Sequence, residues 1–200
     1  MRTYTIVPVT DDVSWQDVPW LWVDNHQWGT ETDIRMGGQI CYSEKGLHVH
    51  LQAWEKDIRA EHNSPLAPVC QDSCMEFFLS PMADDPRYFN IEMNPLGCTY
   101  LGFGVNLPEL IRLMGEGHFL LEDRRTAYTE DGWEVFYTIP LDFIRLFFPE
   151  FDLTTGRKLR ANCYKCGELT PKPHYISWNR IDSPTPAFHV RRDFGEMVLG

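Results

Sequence analysis

Basic residues are scarce in this chain of 200 residues, which has 18 lysines and arginines against 29 aspartates and glutamates. The formal charge of −11 repels nucleic acid and anionic lipid, and no stripe of basic side chains is present to bind phosphates. We therefore expect neither nucleic acid nor a membrane surface as a partner. The sequence gives no indication of the oligomeric state.

Long apolar runs are also absent. No segment approaches the roughly 20 apolar residues of a membrane span, and residues 1–15, MRTYTIVPVTDDVSW, lack the apolar stretch of a signal peptide. These absences predict a cytoplasmic location. The six cysteines, at positions 41, 70, 74, 98, 163 and 166, are accordingly expected to be reduced thiols.

Helical periodicity is rare. Only two short segments, LPELIRLMG (107–115) and PLDFIRLFFP (140–149), have the proline or glycine boundaries typical of helices, so we expect one or two short helices. Internal repeats, low-complexity tracts and linkers are missing too. The chain, with 43% hydrophobic residues, is therefore expected to form a single domain over residues 1–200.

Alternation of apolar and polar residues dominates instead. In GLHVHLQAW (46–54), Leu47 and Val49 point to one side and His48 and His50 to the other, which is the period of a half-buried strand. The same pattern predicts strands at 72–80, 87–94, 98–105, 132–140, 157–166 and 194–200. This many short strands predict an all-β fold, an antiparallel β-sandwich of the jelly-roll or immunoglobulin-like kind.

One set of strand faces combines amides, carboxylates and aromatic rings. The alternation places the following side chains on it: His48, His50, Gln52, Trp54, Cys74, Glu76, Phe78, Tyr88, Asn90, Glu92, Asn94, Arg160, Asn162, Tyr164 and Cys166. Planar polar groups form paired hydrogen bonds with sugar hydroxyls, and the C–H face of a pyranose packs against an aromatic ring. The pattern therefore favours carbohydrate binding, although a solvated polar face is also common in antiparallel sandwiches.

Two glutamates on this face leave an enzymatic alternative open. Glu76 and Glu92 lie on neighbouring predicted strands, and a retaining glycosidase needs two carboxyl groups about 5 Å apart. A jelly-roll glycoside hydrolase that uses Glu76 and Glu92 is the runner-up. Under the leading, non-catalytic hypothesis no residue is catalytic.

The segment RANCYKCGELTPKPHYISW (160–178) contains a C-x-x-C motif followed by a histidine, and PVCQDSCMEFF contains another close cysteine pair. Cys70, Cys74, Cys163 and Cys166 nominally supply the four ligands of a zinc site. Residues three apart on a strand, however, face opposite sides of the sheet. We predict instead that Cys163 points into the core and Cys166 to the other face, with no metal between them.

An ordered series of segments resembles the family 9 carbohydrate-binding modules and their stand-alone relatives. The series is VCQDSCMEFFLSP, YFNIEMNPLG, WEVFYTIP, RANCYKCG, YISW and FHVRRDFGEMVLG, after a VPWLWVD opening, and it spans nearly the whole chain. The resemblance implies a DOMON-like β-sandwich that binds a mono- or oligosaccharide without cleaving it, at the reducing end in characterised members. It also implies structural calcium, for which TDD, ADD and EDG supply oxygens, but no required cofactor. Because some DOMON-like sandwiches bind haem through methionine and histidine, haem binding is a third alternative.

The resemblance also implies a binding site. The family's sugar-contacting glutamate corresponds to Glu76, although DSCME has one residue more than the usual D-S-V-E. Family members hold the sugar between two tryptophans, and the equivalent positions here are Val69 and Phe188. Loss of one ring predicts roughly tenfold weaker binding, and the two interpretations are a different ligand or the loss of sugar binding. The predicted ligand-binding residues are Glu76, Asn90, Tyr164 and Phe188, with Arg160, Asn162 and His189 nearby; no metal ligands are assigned.

Overall fold

The computed structural model describes residues 1–115 and 120–200. Its strands and helix are β1 (Thr3–Pro8), β2 (Leu21–Val23), β3 (Asn25–His26), β4 (Arg35–Ser43), β5 (Gly46–Trp54), β6 (Cys74–Ser80), β7 (Tyr88–Met93), β8 (Thr99–Gly104), β9 (Ile111–Arg112), β10 (Glu122–Thr129), β11 (Gly132–Pro140), α1 (Leu141–Phe147), β12 (Lys158–Cys166), β13 (Tyr175–Ser177) and β14 (Gly195–Leu199). Short 3-10 helices cover Trp15–Asp17, Val69–Gln71, Leu107–Glu109 and Arg191–Asp193.

The strands form one curled sheet with the order β10-β11-β5-β4-β1-β14-β12-β6-β7-β8-β9. Strand β2 pairs with β4, while β13 pairs with β12 and β3. Strand β1 joins the two halves, because its residues 3–6 pair with β14 and its residues 7–8 pair with β4. Both of these pairings are parallel. The all-β prediction is confirmed, but the sheet is mixed rather than strictly antiparallel.

The two halves enclose the main hydrophobic core. Val49 of β5, Phe77 of β6 and Ile91 of β7 belong to the same buried cluster. A fully buried side chain of this size stabilises the fold by about 1.5–3 kcal/mol. Because every second residue of these strands faces this core, the intervening residues are directed to the outer faces, where the candidate site lies.

All seven strands predicted from alternation are present, as β5, β6, β7, β8, β11, β12 and β14. Of the seven strands that alternation missed, β4 and β10 are the longest. Strand β4 contains Gly37 and Gly38, and the Trp20 ring lies so close to Gly37 that a Cβ atom there would be 2.6 Å from it. Strand β10 is an edge strand with mostly exposed, polar side chains, so its sequence shows no buried face.

One of the two helix predictions is confirmed. Helix α1 spans Leu141–Phe147 and buries Phe143 and Ile144. The prediction of a helix over 107–115 was wrong. The 3-10 turn at Leu107–Glu109 is followed by β9, which pairs with β8. Asn106 caps this turn by accepting a hydrogen bond from the Glu109 amide, and the pairing to β8 then draws the chain into the sheet. Among the described residues, the model has no helix that is both long and apolar enough to cross a membrane.

Candidate functional site

Strands β6, β7 and β12 place three predicted residues side by side on the face opposite the main core. Glu76 of β6 is the direct partner of Glu92 on β7 and of Tyr164 on β12. Cys163 lies in the main core, whereas Tyr164 and Cys166 lie in separate clusters on the other face. The predicted register of β12 is therefore confirmed, because a shift of one residue would have exchanged these faces.

This face is covered by the chain rather than solvated. Tyr164 packs in a second hydrophobic cluster with Phe78, Tyr88 and Phe194, against which Phe188 also packs. The Tyr164 and Phe188 rings are stacked, with centroids 4.2 Å apart and an interplanar angle of 9°. The Tyr164 hydroxyl also donates a hydrogen bond of 3.0 Å to the Phe188 carbonyl. Tyr164 thus supports the segment that carries Phe188.

Beside this cluster lies a cavity of about 380 Å³. Its polar lining includes Glu76, Asn90 and Glu92. Its aromatic lining consists of Tyr100, Tyr175 and Phe188. Hollows of about 790 and 840 Å³ exist elsewhere in the described residues, but the smaller cavity is the candidate because it combines buried carboxyl groups with aromatic rings.

The Asn90 amide is buried without a partner. The residue is 1% exposed, and neither Nδ2 nor Oδ1 has a hydrogen-bond partner among the described residues. Most buried side-chain polar atoms in folded proteins are paired, and an unpaired group costs about 1–3 kcal/mol. Asn90 therefore holds an unused donor and an unused acceptor in the cavity lining.

The two carboxyl groups have perturbed acidities. Burial, followed by the charge of Glu92, raises the pKa of Glu76 well above its ordinary value. Burial also raises the pKa of Glu92 to about 7. The Asn90 amide, which approaches this carboxyl group without the geometry of a hydrogen bond, and the charge of Arg112 partly offset the rise. A protonated carboxyl group donates one hydrogen bond and accepts others, as a sugar hydroxyl does. The pair is therefore suited to a neutral polyol ligand.

His189 lines the same cavity next to the second hydrophobic cluster. Its Nδ1 atom lies 2.9 Å from the Tyr88 hydroxyl. Burial lowers the pKa of His189 to about 4, so the ring is neutral at physiological pH. A neutral imidazole offers one donor and one acceptor nitrogen, and with one of them bonded to Tyr88 it adds a polar group to the wall without adding charge.

The structure brings four of the seven predicted binding residues to the cavity, Glu76, Asn90, Phe188 and His189. Tyr164 lies behind Phe188 and supports it. Arg160 and Asn162 have other contacts. The Arg160 guanidinium donates to the Phe194 carbonyl, and the Asn162 amide donates to the Asn179 carbonyl at 2.9 Å. Both residues thereby hold segment 178–194, which covers this face, in place. Their outward orientation was predicted, but this structural role was not.

Sequence reasoning missed Tyr100, Arg112, Glu168 and Tyr175, which also line the cavity. Tyr100 is the direct partner of Glu92 on β8, so alternation continued into β8 would have found it. Arg112 was assigned to a helix, whereas it lies on β9 with its guanidinium 4.4 Å from the Tyr100 ring centroid. Glu168 and Tyr175 border the loop between β12 and β13, where alternation gives no signal.

The cysteines do not assemble as the C-x-x-C motif suggests. Cys163 and Cys166 face opposite sides of β12, which agrees with the predicted orientation. Instead, Cys166 lies directly opposite Cys74 on β6, and its Sγ atom is 3.1 Å from Oε1 of Glu76. In the described part of the chain, one atom each of Cys74, Glu76 and Cys166 lie within 4.8 Å of one another.

The histidine pair of β5 is remote from this cavity. His48 and His50 lie on the outer face of the other half of the sheet. The prediction that they share one polar face with Glu76 was therefore wrong, because the two halves have separate outer faces on opposite sides of the core. His48 contacts Thr138 at 3.0 Å, and His50 contacts Glu134 at 3.0 Å. Alternation separates inner from outer residues within each strand, but it does not tell which half of the sheet a strand joins.

Two aspartates of the acidic turns TDD and ADD are engaged with protein groups. Asp11 of TDD accepts a hydrogen bond from Ser43 and pairs with Lys45 at 3.2 Å. Asp85 of ADD is paired with Arg87 at 2.6 Å. A calcium site needs six to eight oxygen ligands around one point, so these two carboxylates do not form one by themselves, and structural calcium stays a prediction.

Comparisons with solved structures show the fold. The chain is similar to a Bacteroides uniformis protein described as a "putative carbohydrate-binding protein", with a TM-score of 0.86, 22% identity and coverage of 100% of this chain and 99% of that one. It is also similar to a family 9 carbohydrate-binding module from Caldicellulosiruptor kristjanssonii in complex with cellotriose, with a TM-score of 0.70, 14% identity and coverage of 99% and 93%. The glucose complex of a family 9 module from the same organism gives a TM-score of 0.69, 15% identity and coverage of 100% and 96%.

Comparison with curated proteins gives no significant match. A family model, in contrast, matches residues 9–199, which is nearly the entire chain and includes every residue of the cavity described above. The matched model is that of carbohydrate-binding family 9, and the chain belongs to this family.

Proposed function

We propose that the protein binds a mono- or oligosaccharide, without cleaving it, in the cavity formed by Glu76, Asn90, Glu92 and Phe188. Membership of carbohydrate-binding family 9 supports the activity. The unpartnered Asn90 amide supports the location, because a buried donor and acceptor with no protein partner are suited to a polar ligand. This amide is the single observation that carries the assignment.

The cavity lining matches both the polar hydroxyl groups and the apolar C–H faces of a sugar. Asn90 and the carboxyl groups of Glu76 and Glu92 offer planar donors and acceptors to ring hydroxyls. The rings of Tyr100, Tyr175 and Phe188 offer apolar faces to ring C–H groups. A volume of about 380 Å³ lies at the small end of the usual range for ligand sites, which favours one or two sugar units over a long chain.

Isothermal titration calorimetry with glucose and cellotriose tests this function directly. These sugars are chosen because two family 9 modules of similar fold were solved with them. We expect saturable binding of at least one sugar, lost in Glu76→Ala and retained in Glu134→Ala. Glu134 is a matched control, since its carboxylate lies on the outer face of the other half, next to His50. Absence of binding to both sugars at millimolar concentration, with no effect of Glu76→Ala across a glycan array, would contradict the proposal.

A preference for the reducing end is the finer part of the proposal, and it rests on the family resemblance. The small cavity supports it, because a terminal unit needs less room than an internal one. The same titration with cellotriose and with its alditol, in which only the reducing-end ring is opened, measures this preference. Equal affinities for the two ligands would contradict end recognition while leaving carbohydrate binding intact.

A hydrolase remains the second candidate, because Glu76 and Glu92 are direct partners across β6 and β7. Directly opposed Cβ atoms are about 5 Å apart, a spacing compatible with the retaining mechanism. That mechanism also requires one ionised nucleophile, whereas burial raises the pKa of Glu76 well above its ordinary value and that of Glu92 to about 7. We therefore expect no release of reducing sugar from cello-oligosaccharides; release that disappears in both Glu76→Gln and Glu92→Gln would favour the hydrolase.

A further inference from the structure

Two thiols and a carboxyl group meet beneath the cavity. Cys166 of β12 is the direct partner of Cys74 on β6, and Glu76 follows two residues later on the same face of β6. All three residues are buried, with exposures of 0% for Cys74, 2% for Glu76 and 1% for Cys166. The sheet register itself, rather than a flexible loop, therefore sets their positions.

The spacing of their ligating atoms is close to that of a metal site. The Cys166 Sγ atom is 3.1 Å from Oε1 of Glu76, and one atom of each residue lies within 4.8 Å of the other two. Around tetrahedral zinc, with Zn–S and Zn–O bonds of about 2.3 and 2.1 Å, ligand atoms are about 3.4–3.8 Å apart. Side-chain rotations that shift atoms by about 1 Å therefore suffice to form three bonds to one ion.

We infer that Cys74, Glu76 and Cys166 form a binding site for a thiophilic divalent cation of the Zn²⁺ class. Glu76 and Cys166 also line the cavity, together with a third cysteine, Cys70, so a fourth ligand can reach the ion from the cavity. Two thiolates and one carboxylate select Zn²⁺, Cd²⁺ or Co²⁺ over Ca²⁺ and Mg²⁺, which prefer oxygen ligands. This inference goes beyond sugar binding, although it shares Glu76 with that site.

The surrounding charges are compatible with a cation. Glu92 and Glu168 line the same cavity, whereas the opposing positive charges are those of Arg112 in the cavity lining and of Lys165, which acts on Cys74 and Glu76. The Lys165 ammonium is already paired with Glu55 at 3.1 Å. Binding requires no oxidation or reduction. The Cys74 and Cys166 thiols each release one proton to solvent, and Glu76 releases a third where its carboxyl group is protonated. The resulting thiolates and carboxylate donate electron pairs to the metal.

Titration of the metal-free, fully reduced protein with Cd²⁺ and Co²⁺ tests the site. Thiol quantitation before titration must give the six free cysteines of the chain. We expect one equivalent of Cd²⁺ to produce the ultraviolet charge-transfer band of a thiolate complex. Up to three protons per ion are released into a weak buffer, two from the thiols and one from Glu76. Ca²⁺ at the same concentration is expected to produce neither signal.

Variants separate this site from unspecific thiol binding. Cys166→Ser and Cys74→Ser are each expected to lower Cd²⁺ affinity at least 100-fold, since loss of outer-shell partners alone costs 10–100-fold. Glu76→Gln is expected to weaken binding while retaining the charge-transfer band, because both thiolates remain. Cys98→Ser is the matched control, with a thiol that bonds to the Ser64 carbonyl instead and an expected affinity unchanged.

Two results would overturn the inference. One is absence of a charge-transfer band in the reduced parent protein, which needs no variant to fold. The other is a band of undiminished intensity in Cys74→Ser and Cys166→Ser. Metal titrations without sugar, and sugar titrations in chelator-treated protein, keep this outcome distinct from the failure of carbohydrate binding.

Discussion

The Tyr164 and Phe188 rings are stacked at an interplanar angle of 9°, with their centroids 4.2 Å apart. The Tyr164 hydroxyl also donates a hydrogen bond to the Phe188 carbonyl. Tyr164 is fully buried, whereas Phe188 is half-buried and lines the cavity. The inner ring therefore positions the outer one. A position where the resemblance implies tryptophan is thus occupied by a ring that is smaller but firmly held.

Replacement of Phe188 measures the contribution of this ring to sugar binding. We expect Phe188→Ala to lower the association constant about tenfold, because an aromatic contact is worth about 0.5–1.5 kcal/mol beyond area burial. Phe188→Trp is expected to raise it, since indole offers a larger face. Calorimetry with the best-binding sugar measures both changes. Phe136→Ala is the matched control, a half-buried ring stacked on His50 on the outer face of the other half, and a comparable loss there would contradict the assignment.

Asn90 is expected to show opposite effects on stability and binding. Asn90→Leu removes two buried polar atoms that have no partner, so we expect the free energy of unfolding to rise by about 1 kcal/mol and sugar binding to be lost. Urea unfolding and calorimetry measure the two quantities.

Asn94→Leu is the matched control for that experiment. The Asn94 side chain is also buried, but it donates to the His62 carbonyl at 2.7 Å and to Asp72 at 2.9 Å. Its replacement is expected to lower the free energy of unfolding by about 2 kcal/mol, because the acceptors lose their donor. Equal destabilisation by Asn90→Leu and Asn94→Leu would show that Asn90 has a structural role.

Alternation along single strands predicted the inner and outer faces of β6, β7 and β12 correctly, and with them the positions of Glu76 and Asn90. It did not reveal which strands pair. The parallel joining of β1 to β14 and β4 brings together residues nearly 200 positions apart, such as Tyr4 and Met197, and no local pattern encodes such a contact. For the same reason His48 and His50 were placed on the face of Glu76, although they lie across the core from it.

The covering of the site could not be predicted from periodicity either. Segment 178–194 has one short 3-10 turn and no strand before Gly195, so its course depends on individual side-chain contacts. The Asn162 amide, for instance, donates to the Asn179 carbonyl and so fixes the start of the segment. Phe188 was predicted from the family resemblance. Tyr100 and Tyr175 were not predicted, because only the assembled sheet shows that they lie beside the cavity.

Lys165 forms a fully buried ion pair next to the binding face. Its Nζ atom is 3.1 Å from Oε1 of Glu55, which also accepts a hydrogen bond of 2.6 Å from the Trp133 indole. Lys165→Met leaves a buried carboxylate without its cation, so we expect unfolding to become easier by about 3–5 kcal/mol. Denaturant unfolding measures this loss.

Lys158→Met provides the comparison, since the exposed pair of Lys158 and Glu196 is expected to contribute about 0–1 kcal/mol. If Lys165→Met and Lys158→Met had similar effects, the Lys165 pair would not be buried as the structure has it. Replacing Lys165 and Glu55 together by Met and Leu is expected to restore part of the lost stability, because no unpaired charge then remains.

The contacts of His174 predict a loss of stability in acid. Its Nδ1 atom lies 2.8 Å from the Lys172 carbonyl and its Nε2 atom 2.9 Å from the Lys165 ammonium. The first nitrogen must therefore donate and the second must accept, which fixes the neutral tautomer. Burial, and then the charge of Lys165, lower the pKa of His174 from 6.5 to about 4.

The sign of the pH effect follows from this shift. Between pH 6.5 and 4 the unfolded chain binds a proton at His174 that the folded protein does not, so the free energy of unfolding falls as the pH falls through this window. The contribution of His174 is fully present above pH 6.5 and has been lost below pH 4. The glutamine of His174→Gln can still accept a hydrogen bond from Lys165, but it does not titrate. We therefore expect the free energy of unfolding of this variant to fall less steeply with pH. Near the middle of the window the two slopes are expected to differ by up to about 1.4 kcal/mol per pH unit. Urea unfolding of the parent protein and of the variant at closely spaced pH values measures the two slopes. A slope unchanged in His174→Gln would mean that His174 is protonated alike in the folded and unfolded states, contrary to its contacts with Lys165 and Lys172.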